Sequence, residues 1–209
     1  MSNIITTYID LLRHGEPEGG EVFRGHIDPV LTNLGWQQAT KQTEQHDDWE
    51  LIVSSPLRRC AEFAEQLSQK KQLNFHLDEG FKEIFYGDWE GMPTTEAFKH
   101  HPEIAQQMWQ DPMGFCAPNG ESVQAFEYRI LSAWQQLLAD HQGKKVLLVC
   151  HGGVIRILLK NLLSMLPEAM NRFAVPYASR TRLRIDDDQK HQQQYISLQW
   201  HATHINVDD

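Results

Sequence analysis

Val146-Leu147-Leu148-Val149-Cys150-His151-Gly152-Gly153 decides how the whole chain is read. The apolar run up to Cys150 is the strongest strand signal present, and the glycine pair ends it in a turn. Val154 to Leu163 then continues as an apolar helix, so a buried strand passes directly into a buried helix. That succession belongs to a parallel sheet. It puts His151 at the carboxyl end of a strand, where open α/β sheets bind their ligands.

Working outward, Tyr8 to Leu12 reads as another strand, ending in Arg13-His14-Gly15-Glu16. Asp10 fits there only if the strand lies near an edge or the acid finds a partner. Thr32 predicts an N-cap, with Leu31 and Trp36 as its hydrophobic staple and a helix to about Glu44. Leu51-Ile52-Val53 is a strand. Ser55-Pro56 predicts the N-cap and first position of a helix carrying Leu57, Cys60, Ala61, Ala64 and Leu67 on one face. Asn74 to Leu77 is a weaker strand. Residues 78–119 blur the pattern with Gly, Pro, Trp and Phe; they predict one helix within Thr94 to Trp109 and an insertion that covers a pocket. Val123, Phe126, Ile130, Ala133, Trp134 and Leu137 form a helical stripe. Arg180–Ile185 and Tyr195–Trp200 predict an edge hairpin. Strands alternating with helices predict one α/β domain over residues 1–209, a three-layer sandwich with a mostly parallel central sheet and helices on both faces.

The chain has 209 residues and a formal net charge of −9, which disfavours a nucleic-acid or anionic-membrane partner. An anionic substrate then needs positive charge gathered locally. The 3 cysteines, Cys60, Cys116 and Cys150, are scattered without a CxxC and fit a reducing compartment. Met1 to Thr7 lack the features of a signal peptide, and no apolar run reaches membrane-spanning length, so the expectation is a cytoplasmic protein. Oligomeric state is open.

Two strand-end histidines beside an arginine suit a phosphoryl group. Such a site needs a nucleophile, positive charge on the equatorial oxygens and a proton for the leaving oxygen. His14 is a nucleophile if its ring is neutral, and Arg13 both supplies charge and discourages protonation. Gly152 and Gly153 let backbone N–H groups approach an anion at a helix N-terminus. By composition alone Arg58 competes with Arg59, because both lie off their helix's apolar face. Glu79, Asp88 and Glu90 likewise compete with Glu83 as proton donor. Trp89, Trp109 and Phe115 suit a substrate cover or ordinary packing. His100, His101, His191, His201 and His204 lack ligand spacing and read as surface, and no metal site or cofactor is expected. Cys150 reads as a buried small hydrophobe.

Arg13-His14-Gly15-Glu16, Ser54-Ser55-Pro56-Leu57-Arg58-Arg59, Glu83-Ile84-Phe85-Tyr86-Gly87-Asp88-Trp89-Glu90-Gly91 and His151-Gly152-Gly153 together resemble the ordered motifs of the histidine phosphatase superfamily, the phosphoglycerate mutase-like group, across positions 7 to 163. Gly25-His26, Leu31-Thr32, Tyr86 to Glu90 and Asn119-Gly120-Glu121 look most like its α-ribazole phosphatase branch in cobalamin assembly. The resemblance implies a phosphoglycerate mutase-like fold and a metal-independent phosphomonoesterase acting on a small-molecule ester, foremost α-ribazole 5′-phosphate. It implies His14 as nucleophile, Glu83 as proton donor, and Arg13, Arg59, His151 and Gly152 around the phosphate. Family members often carry an asparagine six residues after the nucleophile. This chain has Gly20 there, and Arg24 or a backbone N–H near Gly25 is the expected substitute. Rival readings are a phosphoglycerate mutase, a broad-specificity phosphatase and, from another class, an idle phosphate-binding module. A binder has no use for both nucleophile and acid.

Overall fold

A computed structural model describes residues 4–44 and 48–203. Six strands form one sheet in the order β3-β2-β4-β1-β5-β6, where β1 is Ile4–Arg13, β2 Leu51–Ser54, β3 Asn74–Leu77, β4 Lys145–Cys150, β5 Arg180–Asp188 and β6 Gln193–Ala202. The first four in that order run parallel, whereas β5 pairs antiparallel with both β1 and β6. The sheet is thus mixed, with the expected hairpin at its edge.

The side-chain alternation of a strand divides the core into two layers. Leu12, Ile52, Leu147 and Val149 pack with Ala39 of α1 (Asn33–Thr43) and with Cys60, Phe63, Ala64 and Leu67 of α2 (Arg58–Lys71). Ile9, Leu11, Val53, Val146, Leu148 and Cys150 face the opposite layer. There they pack with Phe126, Ile130 and Trp134 of α5 (Val123–Asp140) and with Val154 and Leu158 of α6 (Gly152–Leu162). Two short helices, α3 (Thr94–His100) and α4 (Pro102–Gln110), pack against this second layer through Ala97, Phe98, Ile104 and Met108.

Several expectations need adjustment. β1 begins at Ile4 rather than Tyr8 and lies in the middle of the sheet, where buried Asp10 does find partners. Arg182, directly opposite on β5, donates to both carboxylate oxygens at 2.7 and 2.9 Å, and the Trp49 indole N–H adds a third bond at 2.9 Å. A bidentate, fully bonded carboxylate is tolerable where a bare one is not. Thr32 caps α1 as expected, accepting from the Gly35 N–H at 2.9 Å. α2, however, starts at Arg58 with Leu57 as N-cap, because Ser55 is still held by the sheet through its N–H to the Val149 carbonyl. The single helix expected within 94–109 is two, broken at His101. Pro102 excludes the helical conformation from the residue before it, and His101 sits at φ −133° and ψ 62°.

Candidate active site

The strand order explains why distant residues meet. β2, β4 and β1 are consecutive neighbours, and the register pairs Arg13 with Cys150 and Ser54 with Val149. Each of the next residues, Ser55, His151 and His14, therefore leaves the sheet at the same edge. The His14 N–H still donates to the Cys150 carbonyl at 3.0 Å, which fixes the start of its loop. The two imidazole rings lie edge-on with centroids 5.2 Å apart.

Both histidines are buried, His14 at 5% exposure and His151 at 0%. Burial pushes the pKa of each well below 6.5, and the guanidinium charges of Arg59 and Arg13 add to the effect. His14 Nδ1 lies 2.7 Å from the Gly15 carbonyl oxygen. A carbonyl can only accept, so Nδ1 carries the proton and Nε2 keeps its lone pair. His151 Nε2 is 2.7 Å from Ser55 Oγ. Ser55 is therefore a partner of a site histidine rather than the helix cap its sequence suggested. Cys150 is wholly buried, as expected of a small hydrophobe.

Four guanidinium groups gather here. Arg13, Arg24 and Arg156 line a cavity of about 360 Å³ together with His14, Glu83 and Gly152. Arg59 is buried beside it at 1% exposure, whereas Arg58 is exposed and pairs with Glu62. Arg59 thus does not lie on a solvent face. Arg13 stacks on the Tyr177 ring at 4.2 Å and donates to the Val175 carbonyl. Arg24 reaches back over the loop to the carbonyls of Glu18 and Gly20 at 2.9 and 2.8 Å. The Nε atoms of all four arginines, Arg13, Arg24, Arg59 and Arg156, are buried without a hydrogen-bond partner among the described residues. Within a chain of net charge −9, this is the local positive charge that an anionic substrate needs.

Among the competing acids, Glu83 faces this cavity and is 8% exposed. Its carboxylate accepts from the Ile84 N–H and, across the site, from the Gly153 N–H, each at 3.0 Å. A side chain at Gly153 would stand 2.2 Å from Glu83 Oε1, so glycine permits this approach. The loop that presents Glu83 is held from α5. Arg129 donates to the carbonyls of Gly80, Lys82 and Glu83 and pairs with Glu121. Glu79 pairs with Lys82 on the surface, and exposed Asp88 accepts from Asn119. Glu90 binds backbone N–H groups, including that of Gly25. Gly25 is absent from the cavity wall, unlike Arg24.

Phe115 and Trp109 border the cavity, whereas Trp89 is fully buried in the core with Phe23 and Phe98. His201 is half-buried rather than simply surface, bridging Thr181 and the Ala174 carbonyl, and His204 lies outside the described residues. The sequence reading missed Tyr177, which no local pattern marks, and Arg156. Arg156 had a visible signal, a cation four residues after Gly152 in a largely apolar helix, hence on the same helical face. Among the described residues no group of three or more His, Cys, Asp or Glu is placed to hold a metal, and no helix is long and apolar enough to cross a membrane.

The chain is similar to known proteins over most of its length. The profile of the histidine phosphatase superfamily (branch 1) matches residues 9–197. The uncharacterized phosphatase PhoE of Bacillus subtilis is 32% identical over 166 residues, 78% of this chain and 80% of that protein. The adenosylcobalamin/α-ribazole phosphatase of Escherichia coli is 30% identical over 176 residues, 79% of this chain and 83% of its own length. The solved structure of a mycobacterial glucosyl-3-phosphoglycerate phosphatase matches with a TM-score of 0.82 at 27% identity, over 95% of this chain and 100% of the other.

Proposed function

The chain belongs to the histidine phosphatase superfamily, and from that premise we propose that it is a metal-independent phosphomonoesterase working through a phosphohistidine at His14. The observation that carries this reading is the His14 tautomer. Its Nδ1–H is committed to the Gly15 carbonyl, its ring is held neutral, and Nε2 is left as a lone-pair donor among guanidinium groups. Arg13, Arg24, Arg59 and the N-terminus of α6 stabilise the equatorial oxygens of the transferring group. His14 Nε2 forms a bond to phosphorus as the ester P–O bond breaks, and Glu83 gives its proton to the leaving alkoxide. A water then loses its proton to Glu83 as its oxygen attacks phosphorus. The N–P bond breaks and phosphate departs, returning both residues to their starting states.

The alcohol half of the substrate falls to the apolar part of the cavity, where Phe23, Phe98, Met108, Trp109 and Phe115 line the wall. Residues 78–119, which contribute four of these five, act as its cover. A cavity of about 360 Å³ with aromatic walls suits a flat heterocyclic alcohol. α-Ribazole 5′-phosphate, the ester of a benzimidazole riboside, is the substrate we assign. The similarity to the Escherichia coli α-ribazole phosphatase supports it.

The test is rapid-quench labelling followed by turnover assays. Radiolabelled phosphate from α-ribazole 5′-phosphate is expected on His14, in an acid-labile linkage, and EDTA is expected to leave kcat unchanged. Label on serine or cysteine, or activity that EDTA abolishes and a divalent ion restores, overturns the mechanism. Turnover of other phosphomonoesters with no turnover of α-ribazole 5′-phosphate overturns the substrate alone.

A further inference from the structure

Glu90 stood among the candidate proton donors, yet its carboxylate is spent on backbone. Oε1 accepts from the N–H groups of His26 and Tyr86, each at 2.9 Å. Oε2 accepts from Ile27 at 2.8 Å and Gly25 at 3.3 Å. Three consecutive amides, those of residues 25–27, therefore converge on one anion, an arrangement that holds a loop in a single conformation.

The other ends of the same peptides do something specific. A peptide's N–H and C=O point in opposite directions, so the unit joining Arg24 to Gly25 sends its N–H to Glu90 and its carbonyl the other way. That carbonyl accepts from Arg59 Nη2 at 3.4 Å. The next unit, Gly25 to His26, repeats the pattern, and the Gly25 carbonyl accepts from Arg59 Nη2 at 2.7 Å. The Ile27 carbonyl takes Arg59 Nη1 at 2.9 Å. Two aligned peptide dipoles are thus clamped between a carboxylate at their N–H ends and a guanidinium at their C=O ends. Each charge reinforces the orientation that the other requires. Nη2 makes two of these bonds and Nη1 one, and among the described residues the buried Nε of Arg59 has no hydrogen-bond partner, so the guanidinium keeps donors for an anion.

We infer that Glu90 is a positioning residue for phosphate binding, acting on Arg59 through the peptides that join Arg24, Gly25 and His26. It does not touch the reacting atoms. The inference also explains Gly25, whose hypothetical side chain would stand 2.2 Å from Glu90 Oε1 and 2.1 Å from the Ile84 carbonyl. Gly25 serves the site by letting Glu90 approach rather than by contacting substrate. Through the Tyr86 N–H, Glu90 also ties the Arg59 cradle to the segment that carries Glu83.

The inference rests on the proposed phosphatase activity, and a double-mutant cycle separates the two. Glu90→Gln keeps the shape but presents an amide NH2 to backbone N–H groups. It is expected to lower kcat/KM by about 10²-fold, the usual cost of a small misplacement, and to weaken orthovanadate inhibition by a similar factor. In an Arg59→Ala background the same substitution is expected to change either quantity by less than about threefold, because the effect has lost its route. Should Glu90→Gln fail to fold, Glu90→Asp enters the same cycle as the shorter carboxylate. Full additivity of the two losses, or wild-type kcat/KM and vanadate affinity in the Glu90 variant, overturns the inference. An Arg59→Ala enzyme with undiminished vanadate affinity overturns instead the premise that Arg59 binds phosphate.

Discussion

The Gly153 N–H donates to Glu83 Oε2 at 3.0 Å, so the carboxylate on one loop is anchored to the first turn of α6, directly after His151. The residue proposed to move protons and the helix proposed to bind phosphate are therefore registered to each other by one hydrogen bond.

Gly153→Ala tests that registry. The new methyl carbon would meet Glu83 Oε1 at 2.2 Å, far inside contact distance. Glu83 must move, and kcat is expected to fall about 10²-fold with the fold retained. Circular dichroism and single-turnover kinetics measured together check this; unchanged phosphorylation would show that the registry has no catalytic consequence.

Glu83→Gln separates acid catalysis from support. An alkoxide cannot leave without a proton, whereas nitrophenolate can. The variant is expected to lose about 10²–10⁴-fold on alkyl phosphates in the phosphorylation step, and much less on nitrophenyl phosphate. Pre-steady-state rates are the proper readout, because lost base catalysis also slows hydrolysis of the phosphohistidine. Equal losses with both leaving groups remove Glu83 from the acid role.

Stability should depend on pH through the two buried histidines. His14 and His151 hold folded pKa values well below 6.5 because burial and nearby guanidinium groups oppose their charged forms. Below pH 6.5 the unfolded chain binds protons that the folded chain refuses. Their contribution is therefore complete above that pH and declines as pH falls toward the folded values. Half-buried His201 acts with the same sign. The shifted carboxylates of Asp48 and Glu127 have ordinary values of 3.8 and 4.5, so their effect enters at lower pH. Urea midpoints measured at successive pH values from 7 to 5 are expected to fall, and to fall less steeply in His14→Gln. A parallel slope in that variant would contradict the assignment.

Trp109, 60% exposed at the cavity wall, offers a test of the cover with little risk to folding. Trp109→Ala is expected to raise KM for α-ribazole 5′-phosphate by about tenfold, the worth of one aromatic contact, while leaving KM for a small alkyl phosphate within twofold. Equal changes for both esters would remove Trp109 from leaving-group recognition.

How much of this was legible beforehand is clearest at single residues. Val146 to Cys150 and its glycine turn announced a buried parallel strand, and Thr32 announced its helix, because periodicity and capping are local properties. The motif order marked His14 and His151, and the strand register accounts for their meeting. Ser55 was misread because Ser-Pro is a sound helix start when only neighbours are considered. A backbone bond to β4 and a ring nitrogen of His151 outweighed that preference.

Arg58 and Arg59 mark the boundary between the two kinds of information. Adjacent on one helix, they share composition and propensity, and their local sequence assigns neither to the site. Only the folded loop of residues 24–27 supplies carbonyls to Arg59, leaving Arg58 to pair with Glu62 in solvent. Glu83 and Glu90 differ in the same way, one facing the cavity and the other gathering backbone amides. Local sequence alone determined the strands, the turns and the two histidine-bearing ends, since each follows from interactions among near neighbours. Which charged side chain enters the site was decided by tertiary structure. A buried charge is stable only where distant chain segments bring it partners.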